Sequence, residues 1–215
     1  MGTRVLEFTR LHRDTSPALA AAVTRLQERL DRADQLARQY MDGRSAMHVA
    51  TARKVELRRL IRRTHLHHLS SVAEVASVDE PELARKFVIP RDAFTYRGFQ
   101  TAASGLAAEA ENRKDLLLKH GLAEEVLTGL QVALDQLETA VEQGAAGRLT
   151  HIGATAQLDT VGEEVVQVVK VMTGLIHVRF ASQPDLLVEW ESASNVVAAP
   201  KFEEKPETGE VRPAA

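Results

Sequence analysis

Cysteine is absent from the 215 residues. That excludes a disulfide scaffold, a thiol nucleophile, a cysteine-ligated zinc site and an iron–sulfur cluster. Aromatic residues are scarce, at 4%. Alanine and aliphatic side chains must therefore fill most of the core, which suits close helix packing better than a sheet. No apolar stretch approaches the roughly 18 uninterrupted residues of a membrane span. The segment Met1 to Arg13 lacks the apolar run of a secretory signal, so a cytoplasmic location is the default expectation. Excess charge of one sign is missing too. Lys plus Arg total 27 against 30 Asp plus Glu, for a net charge of -3, which argues against a dedicated nucleic-acid protein.

What is present is hydrophobic spacing at three and four. The size suits one domain with appendages. A chain this long buries about 70% of the surface its unfolded form exposes, enough for a core without metals or disulfides. Ser16-Pro17 supplies a cap and a first-turn proline. Leu19, Ala22, Val23, Leu26, Leu30, Ala33, Ala37, Tyr40 and Met41 then form one stripe, until Asp42-Gly43 interrupts it. A second helix is expected from about Arg44 to Ser77. Its inner side carries Ala46, Ala50, Leu57, Leu60, Ile61, Thr64, His68, Val72 and Val75. A short helix follows Asp79-Glu80-Pro81, and Ile89-Pro90 ends it.

A third helix starts between Asp92 and Thr101 and stops at His120-Gly121, where the glycine fits a C-cap. A fourth covers Leu122 to Ala145. Gly144 to Gly147 reads as a joint, and a fifth helix runs from Thr150 to Val178. Gly153, Gly162 and Gly174 weaken that last helix. They mark either close approach of a neighbouring backbone or tolerated weak points. The valines around position 168 would suit a strand, but the helical spacing persists. The fold class expected is all-α: an antiparallel, four-helix-bundle-like set of long helices with short accessory helices and a flexible C-terminal tail. By residue number, 1–15 is an N-terminal extension and 16–180 the bundle. The stretch 181–200 is a short helix with an extended docking segment, and 201–215 a charged, disordered tail.

Four groups of residues carry potential chemistry. His65 and His68 lie three apart on a helix, with Glu163 and Glu164 as possible partners for a metal. The competing reading puts His68 in or beside the core with a hydrogen-bond partner. No Glu-x-x-His pair or His-Glu-x-x-His motif accompanies them. Arg44 to Arg63 holds seven basic residues against one acid, Glu56. Within that run Arg58 and Arg62, and Arg59 and Arg63, share faces at four-residue spacing. They form a solvated or salt-bridged face, a contact for a protein partner, or a site for nucleic acid or an anionic surface. No aromatic residues alternate with them, which disfavours single-strand stacking. The glutamate pairs read as surface charge. Leu186, Leu187 and Trp190 form an apolar cluster that docks either on its own chain or on a neighbour.

Nucleotide loops, a Gly-x-Ser-x-Gly elbow and a catalytic triad are all missing, and no cofactor is implied. The reading leans away from an enzyme, towards a structural or interaction protein that self-associates through lateral helix contacts, as a closed oligomer, ring or filament. A metal-binding bundle using His65 and His68, and an anion-binding arginine face, are the alternatives.

Overall fold

Thr95 closes the first turn of a helix through its hydroxyl, which accepts the Gly98 amide at 3.1 Å. Such local devices delimit the elements of the computed structural model, which describes residues 1–13, 16–90 and 95–196. They are α1 (Gly2–Leu11), α2 (Pro17–Leu60), a π-helical turn (Ile61–Leu66), α3 (His67–Ala76) and α4 (Leu83–Lys86). α5 (Tyr96–Asn112), α6 (Lys114–Lys119), α7 (Glu124–Arg179) and α8 (Pro184–Ser194) follow. Among the described residues every element is helical, so the all-α expectation holds. None of these helices is long and apolar enough to cross a membrane. The expected tail, 201–215, and residues 197–200 of the docking segment lie outside the described residues, as do positions 91–94 near the expected start of the third helix.

The chain divides into two compact units: Met1–Ala33 with Thr160–Ala215, and Asp34–Asp159. In the second unit, the inward row of α2 is Leu36, Tyr40, Gly43, Met47, Ala50, Lys54 and Leu57, all buried or half-buried. The facing row of α7 is Leu137, Ala140, Gly144, Gly147, His151, Ala154 and Leu158. Both alternate steps of three and four, the seven-residue pattern of two helices packed along a shared seam. The pairing is antiparallel. Tyr40 packs at a tilt against His151 with ring centroids 4.3 Å apart, while Arg53 donates to Gln136 Oε1 at 2.8 Å.

Two expected breaks are absent. α2 runs through Asp42-Gly43, and α7 runs through Gly144 to Gly147. A helical glycine costs about 1 kcal/mol against alanine, too little to end a packed helix. Gly43 is there for space: a β-carbon on it would lie 2.7 Å from the His151 backbone nitrogen and 2.8 Å from the Gly147 oxygen. Gly153, Gly162 and Gly174, by contrast, face open space. They are the tolerated weak points, and the valine-rich end of α7 is helical as expected.

A third correction concerns the row after Leu57. The expected inward residues Leu60, Thr64, His68 and Val75 are exposed. The buried row runs Leu57, Ile61, Leu66, Leu69, Ala73 and Ala76 instead. The π turn holds one residue more than an α turn, so the stripe steps five from Ile61 to Leu66 and continues one position late. These residues join Leu83, Phe87, Phe99, Leu117, Leu130 and Leu137 in one apolar core. Gly121, with φ of 94°, closes α6 where the third helix was expected to stop, but that helix is interrupted at Arg113, between α5 and α6. The Leu122 amide reaches the Leu117 carbonyl at 3.0 Å and the Gly121 amide reaches Leu118 at 3.1 Å, the two bonds of a Schellman cap. Arg113 ties together Glu80, Glu82 and Glu109 across the surface of this unit.

In the first unit, positions 2–11 of the N-terminal extension form α1. Phe8 packs edge-on against Trp190 at 5.2 Å and against Phe180 at 6.5 Å. Val5 and Trp190 are fully buried. The indole N–H donates to Thr173 Oγ1 at 3.1 Å, which satisfies its one polar atom. His12 meets Glu189 at 3.0 Å, and the Arg4 guanidinium donates to the Asn195 carbonyl at 2.6 Å.

Candidate interaction site

The sequence Arg58-Arg59-Leu60-Ile61-Arg62-Arg63 spans the junction of α2 and the π turn. Ile61 is the buried anchor and Leu60 is exposed. The four guanidinium groups therefore flank one inward residue and cannot all share its side. They line an open cleft of about 220 Å³ together with Val55 and Tyr96. Tyr96 arrives from the first turn of α5. Lys54 lies 5.3 Å and Arg58 5.5 Å from its ring centroid, and Arg58 also covers the Phe99 ring at 4.9 Å. Aromatic faces hold cations by their quadrupole, about 0.5–1 kcal/mol at exposed sites, without supplying a neutralising charge. Arg59 and Arg63 are exposed. Arg58 and Arg62 make further interactions of their own. Glu56, the acid within the basic run, is paired with Arg53 at 2.8 Å. Sequence reading missed Tyr96 and Phe99 here because both come from a helix far along the chain.

The histidines separate. His68 and His67 are exposed, so the expected placement of His68 in or beside the core is corrected by the shift at the π turn. His65 instead turns inward onto α7. A β-carbon on Gly129 would meet its Cε1 at 2.7 Å. Its Nδ1 is buried and has no hydrogen-bond partner among the described residues. Burial lowers the pKa of this imidazole, against a smaller opposing pull from the Val126 backbone. Glu164, on α7 in the other unit, pairs with Arg29 at 2.9 Å, and Glu163 is exposed. Among the described residues, no three histidine, aspartate or glutamate side chains converge as metal ligands would.

Of the apolar C-terminal cluster, Trp190 is buried within its own unit while Leu186 and Leu187 are half-buried. A different apolar feature lies along the α2–α7 seam of the second unit. Gly43 and Gly147 line an open groove of about 610 Å³ with Ala46, Val49 and Ala146. Val49 is 66% exposed. A second cleft of about 330 Å³, reaching Arg53 and Val132, shares Gln143 with that groove. Comparison with models of known protein families, with curated proteins and with solved structures gave no match.

Proposed function

We propose that the protein is a non-enzymatic helical scaffold that associates with a second copy of itself through lateral helix contacts. The groove along the α2–α7 seam carries this reading. Small residues let a further helix approach closely, because interhelical distance is set by the side chains at the contact. Val49 and Ala146 leave apolar surface in water beside it. Two such antiparallel pairs laid groove to groove make an antiparallel four-helix bundle, the arrangement expected from the helical periodicity. The absence of buried charged or polar residues among the described ones also suits a packing role.

The test is substitution of exposed groove residues. Val49→Glu with Ala146→Glu places carboxylates where the partner would pack, while both positions face solvent within the chain. Sedimentation equilibrium is expected to give a mass above one chain for the wild type and one chain for the variant, with unchanged helicity. An equal mass for both proteins contradicts the groove as the contact.

A further inference from the structure

We infer that the cleft formed by Arg58, Arg59, Arg62, Arg63 and Tyr96 binds a polyphosphate group. The inference is independent of self-association. Four guanidinium groups crowd into six consecutive residues, and no acid lines the cleft among the described residues. Arg59 and Arg63 are a like-charge pair one turn apart, an arrangement that destabilises a helix by a few tenths of a kcal/mol. An anion seated between them turns that repulsion into attraction. Guanidinium forks match phosphate oxygens two bonds at a time. The π turn widens the helix where Arg62 and Arg63 project, and such turns recur at functional sites. Tyr96 supports Lys54 and Arg58 from below and adds a phenol at the wall. Because Arg58 and Arg62 have other interactions, the ligand's charge falls first to Arg59 and Arg63.

The size of the cleft narrows the ligand class. At about 220 Å³ it lies below the range of about 300–1,000 Å³ that receives drug-sized molecules. One tyrosine gives no ladder for successive bases. A short chain of phosphates, free or carried on a small molecule, fits these constraints better than a nucleic-acid strand does.

Titration calorimetry of the whole chain with inorganic tripolyphosphate, and separately with sulfate at matched ionic strength, tests this. One tripolyphosphate per chain is expected, bound at least about tenfold more tightly than sulfate. Arg59→Gln with Arg63→Gln is expected to weaken it by about tenfold or more, with helicity retained. Arg59→Lys with Arg63→Lys, which keeps charge but loses the fork, is expected to fall between them. Arg38→Gln with Arg44→Gln, exposed elsewhere on α2, is expected to leave binding unchanged. No measurable heat with tripolyphosphate overturns the inference. So does equal weakening by both glutamine pairs, or full affinity in the lysine variant, since either means general counterion attraction. Binding of a short DNA duplex without binding of tripolyphosphate overturns it in favour of nucleic acid.

Discussion

Gly43 and Gly174 are both helical glycines, and their surroundings predict opposite responses to alanine. At Gly174 the added methyl meets nothing within 4 Å among the described residues. Gly174→Ala is expected to raise stability by about 0.5–1 kcal/mol, through helix propensity and a less flexible unfolded chain. At Gly43 the methyl meets backbone, which cannot swing aside as a side chain can. Overpacking of about 1–3 kcal/mol outweighs the propensity gain, so Gly43→Ala is expected to lower stability. Urea unfolding of the two variants checks both signs. His65 supplies a pH dependence at the same scale. Its folded pKa is lowered by burial, so the unfolded chain binds the proton more readily. Stability from this residue is full above the unfolded value of about 6.5 and is lost as pH falls below it towards the folded value. Between pH 8 and 5.5, His65→Gln is expected to lose less stability than the wild type. Equal losses in the two proteins would remove burial of His65 as the cause.

Among the elements, the π turn is the one whose consequence is most specific. It inserts a residue between the inward rows of α2 and α3. Deleting exposed Thr64 shortens the step from Ile61 to Leu66 to an ordinary four residues. The protein is then expected to keep cooperative folding. Deleting Thr51 rotates the rest of α2 by about 100°, takes Lys54 and Leu57 out of the seam and Ile61 out of the core, and is expected to abolish cooperative folding. Circular dichroism melting of both deletions decides. In the first unit, α8 is held to α1 chiefly by Trp190. Trp190→Ala is expected to cost about 3–5 kcal/mol, read as a lower denaturant midpoint. These elements were unevenly legible in the sequence. The cap at Gly121 could be read because both of its hydrogen bonds are local. The continuity of α2 through Gly43 could not, because a residue more than 100 positions away supplies the reason. The π turn hides in an unbroken helical run, so its one-residue slip put His68 rather than His65 on the inward side. For α1, Val5 and Phe8 at a spacing of three were the available signal, too short to stand alone.

For the whole molecule, the central claim is association of copies through exposed helix surface. The heptad rows account for how α2 and α7 pair, and the three-and-four spacing of apolar residues is enough by itself to imply long helices. The cleft of arginines and the seam groove depended on residues brought together from different helices, as Tyr96 is brought to Arg58. The most direct measurement is molar mass by light scattering after size exclusion, across about 1–100 μM chain, a range in which mass action reveals micromolar association. A mass that rises with concentration above the 23.6 kDa of one chain is the result the account predicts. A mass of one chain throughout would contradict it.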